Sequence, residues 1–439
     1  MVQLYFYGGV GEIGGNKILL EDRDTRIFLD FGMSFAERRK FYSEPWLSPM
    51  DEECLLEFGI LPKVRGLYRF DKSPPSIDAV FLTHSHADHS MYASFLNRKI
   101  PLYCGETTAT LLQCMSETRT KGFETDLEGL EFRTFRTGVK ISVEGIEIEP
   151  VHVDHSVPGS YGYIVYTSEG AIAYTGDFRL HGTKPQMSEE FIERAAQSKP
   201  LALLCEGTNV FSVDASSEHE VRSKLNEVML RSSKLVLADF SYSDVDRFRT
   251  FFDVAKNSGR RLAISPRQAY VLSRLSEDRE LNLPDVRRNG GILIYRKMKR
   301  RHYLWEREIL RWKNVSEASD VRRSQAQTIL LCSFRDFGEL IEIRPDPGSV
   351  YVFSSSEPYN EEQAIDFEKL SNWLDHFGLP MYHVHCSGHI LPSQLKQAVS
   401  TIHPKKLFPI HTEHPGLIAR FMSDIAKVSM PDEGVCYKL

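Results

Sequence analysis

A dense cluster of candidate metal ligands lies in the segment FLTHSHADHS, which occupies residues 81–90. His84 and His86 are two residues apart, so an extended or turn backbone can direct both imidazoles to one cation. Asp88 and His89 come next, near the start of a predicted helix, and could serve a second cation. Imidazole and carboxylate together suit zinc or manganese. The H-x-H-x-D-H spacing therefore predicts a metal site rather than a set of core histidines.

Further ligands must come from distant parts of the chain, because four side chains on one turn cannot complete two metal sites. His155 follows a predicted strand, Asp177 ends the apolar strand in AIAYTGD, and His411 ends the last predicted apolar strand. Like the first cluster, all three stand at the C-terminal end of a strand. A carboxylate in the position of Asp177 can bridge two cations. Ligands gathered at one edge of a sheet predict a shared site for two metal ions.

Strands dominate the predicted elements that must position these ligands. Short apolar runs separated by turns fill the first 35 residues, and buried strands recur as far as PLALLCEG. From about residue 210 to 353 helical and strand segments alternate, which is typical of a parallel sheet. A helix and two further strands follow. The sequence therefore predicts an α/β protein in three segments, 1–209, 210–353 and 354–439.

The composition fits an ordinary soluble globular protein, with 41% hydrophobic and 26% charged residues. No apolar stretch approaches the roughly 18 residues of a membrane span, and the N-terminus shows no secretory signal. The seven cysteines are dispersed without a CxxC pair, which favours reduced thiols and a cytoplasmic location. The formal net charge of -6 does not indicate a nucleic-acid-binding protein, although it is compatible with a local basic patch.

A glycine pattern near the N-terminus invites a different interpretation. GGVGEIGG contains G-x-G-x-x-G at Gly9, Gly11 and Gly14, and Asp30 follows near the spacing of a dinucleotide-binding motif. That motif requires a helix to begin directly after the glycines. The segment NKILLEDRDTRIFLDFG, which follows here, has strand character. We therefore expect the glycines to shape a β-hairpin.

The order of the ligands resembles that of the metallo-β-lactamase superfamily, whose fold is an αβ/βα sandwich with two metal ions. The H-x-H-x-D-H motif, the later histidine and the aspartate of TGD are all present. The resemblance implies two divalent cations, zinc in the first place, with manganese or magnesium as alternatives. It assigns one ion to His84, His86 and His155, the other ion to Asp88, His89 and His411, and the bridge between them to Asp177.

The segment at about 210–353 resembles the cap domain of the β-CASP nucleases, which is inserted late in the lactamase fold. Glu206 in LALLCEGTN matches the acidic motif A of that family, His389 in HVHCSGHI matches motif B, and His411 matches motif C. The similarity covers most of the chain and is greatest to the ribonuclease J branch in its compact archaeal-type form, for example in GGVGEIGGN and VDHSVPG. The implied domains are a metallo-β-lactamase domain at 1–209 and 354–439 and an inserted α/β β-CASP cap at 210–353.

Two departures from ribonuclease J concern the substrate. That branch usually carries SSSxxPGNE after the cap, in a loop that contacts the RNA backbone, whereas this chain reads SSSEPYNEE. The preference for a particular 5′ end is therefore open. Motif A is a glutamate, Glu206, where ribonuclease J often has aspartate and the polyadenylation endonucleases commonly have glutamate.

The resemblance also implies roles for individual residues. Asp88 would orient the nucleophile in addition to binding metal. His389 would stabilise the scissile phosphate or protonate the leaving oxygen, and Glu206 would fix its tautomer. The serine-rich turn would donate hydrogen bonds to phosphate or merely cap a helix. Its residues are Ser354, Ser355 and Ser356.

A basic segment with interleaved aromatic residues occupies positions 287–313 and contains ten basic and two acidic residues. Such a segment could follow phosphates and stack bases. It could equally be a solvated helix whose aromatic side chains pack inward. Both interpretations are open at this point.

The sequence predicts a metal-dependent ribonuclease that acts on single-stranded RNA in the cytoplasm, as a 5′-to-3′ exonuclease with endonuclease action as a second mode. The oligomeric state stays open, with a homodimer as one candidate assembly. Four alternatives stay open: a 3′-end-processing endonuclease, a DNA-directed β-CASP nuclease, an inactive RNA-binding scaffold and a small-molecule hydrolase. Inactive relatives generally lose metal ligands, and this chain has all seven.

Overall fold

Two compact units make up the chain: unit 1 comprises Met1–Asp214 and Gly388–Leu439, and unit 2 comprises Ala215–Ser387. The computed structural model describes residues 1–43, 46–120, 122–211, 216–355 and 361–439, apart from the side chains of residues 361–365. The strands, in chain order, are β1 Val2–Phe6, β2 Ile18–Asp22, β3 Thr25–Leu29, β4 Ala79–Leu82, β5 Leu102–Gly105, β6 Phe132–Phe135, β7 Ile141–Val143, β8 Ile146–His152, β9 Tyr161–Tyr166, β10 Ala171–Tyr174, β11 Ala202–Glu206, β12 Val236–Asp239, β13 Arg261–Ile264, β14 Ile292–Tyr295, β15 Val315–Ser316, β16 Thr328–Leu331, β17 Val350–Phe353, β18 Met381–His383, β19 Leu407–Ile410 and β20 Cys436–Lys438.

The α-helices are α1 Phe35–Phe41, α2 Glu52–Glu57, α3 Ala87–Ser90, α4 Glu106–Thr118, α5 Pro185–Ser198, α6 Glu218–Arg231, α7 Val245–Asn257, α8 Pro266–Leu275, α9 Leu304–Ile309, α10 Ala318–Arg323, α11 Leu340–Ile343, α12 Glu361–Phe377, α13 Pro392–Ile402 and α14 Pro415–Phe421. Short 3₁₀ segments lie at Met91–Phe95, Arg279–Leu281, Gln325–Gln327 and Phe334–Glu339.

Two sheets form the centre of unit 1, with the strand orders β20-β1-β2-β3-β4-β5-β6 and β19-β11-β10-β9-β8-β7. Alternate side chains of each strand pack on opposite faces, as the pleat requires. Leu20 of β2 belongs to a buried cluster that also contains Tyr163 and Leu204 of the other sheet. Leu19, its neighbour, belongs to a second cluster on the other face. The apolar layer shared by the two sheets is therefore the central core of unit 1.

Helices cover the outer face of each sheet in unit 1. The cluster on the first sheet includes Leu55 of α2 and Leu112 of α4. The cluster on the second sheet includes Phe191 of α5 and Leu395 of α13. The layer order is thus helix, sheet, sheet, helix, which confirms the predicted αβ/βα sandwich.

The glycine-rich segment GGVGEIGG connects β1 to β2, which pair antiparallel. No helix begins after it, so the prediction of a hairpin is confirmed and a dinucleotide-binding loop is excluded. The loop instead packs against the segment 84–89, which carries the H-x-H-x-D-H motif. The backbone N–H of Asn16 donates to the carbonyl of Asp88 at 3.1 Å, and the N–H of Gly32 donates to the carbonyl of Asn16 at 2.9 Å.

The backbone of residue 32 passes so close to the backbone of Asp88 that only glycine fits at position 32. A Cβ atom added to Gly32 would lie 1.7 Å from the carbonyl oxygen of Asp88. A Cβ atom added to Gly14 would lie 2.6 Å from the Cβ atom of Asp88. The small residues of two loops therefore fix the position of this candidate ligand.

Unit 2 contains one seven-stranded sheet in the order β15-β14-β13-β16-β12-β17-β18. All of its neighbouring strands are parallel. The helices between them return the chain to the starting edge, as in other α/β folds. The predicted parallel sheet with alternating helices is confirmed.

Unit 2 extends further along the chain than the predicted cap, which ended at residue 353. Strand β18 pairs with β17 in the register Tyr351↔Met381, and helix α12 connects the two strands. Leu370 and Leu374 of α12 pack in the core of unit 2. The segment from 354 to 387, which the sequence analysis assigned to the final lactamase portion, thus lies in unit 2 because its strand completes that sheet.

Replacing Gly32 by alanine should disrupt the ligand segment, because the new methyl group overlaps the backbone of Asp88. We expect Gly32→Ala to lower the free energy of unfolding by about 1–3 kcal/mol, as overpacked core positions do. Bound metal should fall in parallel. Calorimetry and metal analysis measure the two effects. Gly416→Ala is the control, because a Cβ atom there meets nothing within 4 Å. A Gly32→Ala protein with unchanged stability and metal content would contradict the buttressing role.

Candidate metal centre

The candidate ligands follow strands of both sheets in unit 1. His84 comes two residues after β4, and Asp177 comes three residues after β10. His155 follows β8, and His411 directly follows β19. Because these strand ends meet at one edge of the sandwich, residues far apart in sequence converge there.

Asp177 lies at the centre of the gathered side chains and is 2% exposed. Its Oδ2 atom is 3.6 Å from Nε2 of His84, 3.2 Å from Nε2 of His89 and 3.8 Å from Nε2 of His155. Its Oδ1 atom is 3.8 Å from Nε2 of His411. The two carboxylate oxygens thus lie near different histidines, an arrangement suited to a bridging ligand.

The remaining candidate ligands complete groups of donors around that carboxylate. Nδ1 of His86 lies 3.0 Å from Nε2 of His84 and 3.1 Å from Nε2 of His155. Such separations resemble the roughly 3.3 Å between neighbouring donors around one tetrahedral zinc ion with bonds of about 2.0 Å. Donor atoms within 4.8 Å of one another form three groups: His84, His86, His155 and Asp177; Asp88, His89 and His411; and Asp177, Glu206, His389 and His411.

Two observations fit a divalent metal ion at this place. The donor set consists of imidazole nitrogens and carboxylate oxygens, which zinc and related cations prefer. In addition, Oδ1 of Asp177 is buried and accepts no hydrogen bond from the part of the chain that the structure describes. A buried carboxylate oxygen without a partner is costly, and a cation removes that cost. The cluster can therefore hold divalent metal.

Hydrogen bonds fix the orientation of two of the histidines. Nδ1 of His155 donates to the carbonyl oxygen of Gly388 at 2.6 Å, and Nδ1 of His89 donates to Oδ2 of Asp30 at 2.7 Å. Because a carbonyl and a carboxylate can only accept, each ring carries its proton on Nδ1. The Nε2 atom of each ring then faces Asp177, and a metal ion bound there would take its lone pair.

Threonine hydroxyls orient two further histidines in the same way. Nδ1 of His84 shares a hydrogen bond with Oγ1 of Thr83 at 3.0 Å. Nδ1 of His411 shares one with Oγ1 of Thr208 at 2.8 Å. Such outer partners are a regular feature of histidine–metal sites.

The pKa values of His84 and His155 lie well below the ordinary histidine value, because burial disfavours the charged imidazolium. Both rings are therefore neutral at neutral pH and need not lose a proton to bind metal. Burial also opposes ionisation of Asp177, but the nearby His411 and His89 outweigh it and hold the pKa of that carboxyl well below its usual range. His84 and His155 are thus neutral imidazoles beside an ionised carboxylate.

Asp30 is a site residue that the sequence analysis did not recognise. It is fully buried, accepts from the backbone N–H of Thr83 at 2.7 Å and from the hydroxyl of Tyr174 at 2.5 Å, and orients His89. Its backbone has a positive φ of 58°. A signal was present in RIFLDFG, where an aspartate ends a buried strand just as Asp177 does, but the spacing to the glycines suggested a false dinucleotide motif.

The motif residues Glu206 and His389 are in contact. Nδ1 of His389 lies 3.1 Å from Oε2 of Glu206, which is 1% exposed. Burial lowers the pKa of His389, but Glu206 and Asp177 outweigh it and raise that pKa to about 9. The structure therefore brings His389 to the edge of the centre, with a buried carboxylate on its Nδ1 side.

The serine-rich turn falls in unit 2. The hydroxyl of Ser354 is buried, donates to the carbonyl of Val384 at 2.5 Å and accepts from the guanidinium of Arg247 at 2.5 Å. These bonds engage the hydroxyl in the interior of unit 2. Ser355 is half-buried in the wall of a cleft. Ser356 lies outside the described residues.

The basic segment 287–313 is not one helix, because it contains strand β14, an irregular stretch and the short helix α9. Tyr295 is buried at the end of β14, whereas Tyr303 is 51% exposed. The guanidinium of Arg287 lies over the ring of Trp312, 4.6 Å from its centroid. The aromatic residues therefore divide between core and surface.

Comparisons with known proteins agree with this fold. The family model described as the metallo-beta-lactamase superfamily matches residues 10–101, and one described as a beta-lactamase superfamily domain matches residues 61–203. A solved structure from Enterococcus faecalis, titled a protein of unknown function, aligns over 100% of both chains with a TM-score of 0.79 and 21% identity. That likeness supports the fold.

Curated relatives resemble nearly the whole chain. Ribonuclease J 1 of Streptococcus pyogenes is 24% identical over 428 residues, which are 94% of this chain and 69% of the relative. Ribonuclease J of Sinorhizobium meliloti is 26% identical over 430 residues, with the same coverage of both chains. Ribonuclease J of Thermus thermophilus is 26% identical over 429 residues, 94% of this chain and 68% of the relative.

Every helix among the described residues is too short or too polar to span a lipid bilayer.

Removing the central carboxylate should empty the centre. We expect Asp177→Ala to lose bound divalent metal, because its two oxygens are the donors nearest to four histidines. Elemental analysis of the purified variant by mass spectrometry measures the effect. A variant that keeps wild-type metal content would exclude the bridging position.

Asp30→Asn should weaken metal binding without changing any ligand, because the amide no longer supplies a carboxylate to Nδ1 of His89. We expect a 10- to 100-fold loss of metal affinity, the usual effect of an outer partner. Titration with a competing chelator measures it, and excess metal should restore occupancy. Asp24→Asn, at an exposed turn position, is the control. Equal affinities for the two variants would contradict an orienting role for Asp30.

Proposed function

We propose that this chain, a member of the metallo-β-lactamase superfamily, is a metal-dependent ribonuclease that hydrolyses single-stranded RNA. The observation that carries the proposal is the convergence of six candidate ligands around a seventh, the buried carboxylate of Asp177. The relatives named ribonuclease J, which match 94% of the chain, support RNA as the substrate.

Two divalent cations would be held at the centre, zinc in the first place, with manganese or magnesium as alternatives. When bound, they supply a hydroxide nucleophile at neutral pH and neutralise charge on the phosphate. The sets proposed are His84, His86 and His155 for one ion, Asp88, His89 and His411 for the other, and Asp177 for both.

Two side chains near the ligands would act on the substrate itself. His389 keeps 20% of its side chain exposed while Glu206 is buried beside its Nδ1 atom. We assign His389 to the scissile phosphate or the leaving oxygen, with Glu206 as the group that holds its tautomer. Asp88, which is 17% exposed and lies 3.2 Å from Nε2 of His411, would orient the nucleophile.

The finer features of the function rest on the resemblance to ribonuclease J. We propose 5′-to-3′ exonuclease action with endonuclease action as a second mode, a β-CASP cap in the middle of the chain and phosphate contacts from the serine turn. The hydroxyl of Ser354 is engaged, so Ser355 is the better donor to phosphate of these two serines, and Ser356 stays a candidate by its place in the sequence. The cytoplasmic location is supported by seven cysteines that form no disulfide. A homodimer is also proposed.

Cleavage of defined substrates tests the proposal. Single-turnover assays should use single-stranded RNA bearing a 5′-monophosphate, 5′-hydroxyl or 5′-triphosphate, together with DNA of the same sequence. We expect mononucleotides released from the 5′ end of RNA. Internal cuts alone would favour a 3′-end-processing endonuclease, and equal cleavage of DNA would contradict RNA selectivity. Binding without cleavage at saturating metal would identify an inactive scaffold.

His389→Ala should retain metal but lose activity. We expect a fall in the single-turnover rate of roughly 10²- to 10⁴-fold, the range for a positioned acid or base. Glu206→Gln should lower the rate by a smaller factor, because the imidazole is still present. The rate constant and metal content are measured together, with His219→Ala on the exposed surface of α6 as the control. An active His389→Ala protein would remove this histidine from the mechanism.

A further inference from the structure

The interior of unit 1 contains a lysine beside the loops that contact Asp88. Lys17 is the last residue of the hairpin loop between β1 and β2 (residues 7–17) and is 1% exposed. Lysine is almost never fully buried unless its ammonium group is paired, because burial removes the charge from water. A methionine of similar length would fill the same space without that cost. The charge of Lys17 therefore needs a reason other than packing.

The ammonium group of Lys17 connects two loops. Nζ donates to the carbonyl oxygen of Gly15 in the hairpin loop at 2.9 Å and to the carbonyl oxygen of Gly32 in the loop after β3 at 3.1 Å. Hydrogen bonds from a charged donor are stronger than those from a neutral one. Gly32 is also the residue whose backbone passes against that of Asp88. One side chain thus holds together two loops that meet at a candidate ligand.

A buried carboxylate in the same hairpin loop compensates the charge of Lys17. Glu12 is 8% exposed, and it accepts hydrogen bonds from the backbone N–H of Gly9 at 3.1 Å and from the hydroxyl of Ser34. Burial raises the pKa of Glu12, whereas Lys17 and Ser34 lower it. Burial lowers the pKa of Lys17, and the carboxylate of Glu12 opposes this shift. The two buried charges therefore stabilise each other, and Glu12 also binds the segment that follows Gly32.

The hairpin loop contacts three candidate ligands of one metal ion. The carbonyl of Gly9 accepts from the backbone N–H of His411 at 2.8 Å, and the backbone N–H of Asn16 donates to the carbonyl of Asp88 at 3.1 Å. The side-chain amide nitrogen of Asn16 lies 3.2 Å from Nε2 of His89. Asp88, His89 and His411 form one of the groups of neighbouring donor atoms. The position of the hairpin loop thus bears on the whole set proposed for the second ion.

The candidate ligands of the first ion are oriented from other parts of the chain. Nδ1 of His155 donates to the carbonyl of Gly388, and Nδ1 of His84 shares a hydrogen bond with the hydroxyl of Thr83. A change in the hairpin loop should therefore affect the second ion more than the first.

We propose that Lys17 is a positioning residue of the metal centre, which together with Glu12 fixes the hairpin loop against Asp88, His89 and His411. Its ammonium group touches none of the three ligands and acts through the backbone of the two loops. The inference rests on the two-metal centre of the proposed function, but it does not depend on which substrate is hydrolysed.

Removal of one charge and of both charges separates positioning from folding. Lys17→Met and Glu12→Gln each leave one buried charge without its partner, so each variant should have a lower melting temperature than the wild type. The double variant contains neither charge and should melt above both single variants. The double substitution Lys63→Met with Glu57→Gln, at two exposed positions, is the matched control.

Metal binding by these proteins tests the positioning role. Elemental analysis gives the number of bound ions, and titration with a competing chelator gives the affinity for each. We expect the double variant to bind one ion with wild-type affinity and the other about tenfold or more weakly, because the carbonyls of Gly15 and Gly32 are no longer connected. A purely structural role predicts that metal affinity recovers together with the melting temperature. The control should bind both ions as the wild type does.

Two results would overturn the proposal: a double variant with wild-type affinity for both ions, or one in which both affinities fall equally. Should the double variant not fold, Glu12→Gln below its melting temperature provides the same comparison, and unchanged affinity for both ions there would also overturn it. A wild-type protein that binds fewer than two ions would refute the two-metal centre itself, and the inference with it.

Discussion

The burial of one ionised carboxylate among five imidazoles is the constraint on which unit 1 depends. Asp177 is almost completely removed from solvent, and its Oδ1 atom finds no hydrogen-bond donor among the described residues. A charged group in that setting is unfavourable unless cations compensate it. The sandwich therefore does more than position ligands. The packing of its core keeps Asp177 buried after β10 even though burial of the charged group is unfavourable, and a bound cation would compensate that charge.

The orientation of the histidines is fixed by hydrogen-bond partners that are not themselves candidate metal ligands. Asp30 and the carbonyl of Gly388 fix the protons of His89 and His155, while threonines orient His84 and His411. Because Nδ1 of each ring is engaged, rotation of any imidazole would break a buried hydrogen bond. The backbone contact between Gly32 and Asp88 adds a steric limit. The groups that orient the ligands are thus distributed over several strands and loops. Removal of one of them should lower the affinity for metal before it disrupts the fold.

Sequence reasoning succeeded where chemistry is encoded locally. His84, His86, Asp88 and His89 are neighbours in the chain, and Asp177 and His411 end apolar strands, so their convergence follows from the rule that strand ends share an edge. Asp30 was missed because its role depends on a pairing with His89 across 59 positions, which no local pattern records. The extent of unit 2 was missed for the same reason. Strand β18 is short and partly polar, and only its pairing with β17 assigns it to that sheet.

Both units contain buried polar groups that find no hydrogen-bond partner among the described residues. In unit 1 one such group among the described residues is Oδ1 of Asp177, and the surrounding imidazoles identify a cation as its partner. In unit 2 the carboxamide of Gln268 is another such group among the described residues, and it is buried away from solvent. In both places the fold tolerates a local cost that an apolar residue of similar size would avoid. At Asp177 the surrounding histidines explain that cost, because a cation there would be bound by the same side chains that leave the carboxylate oxygen without a donor.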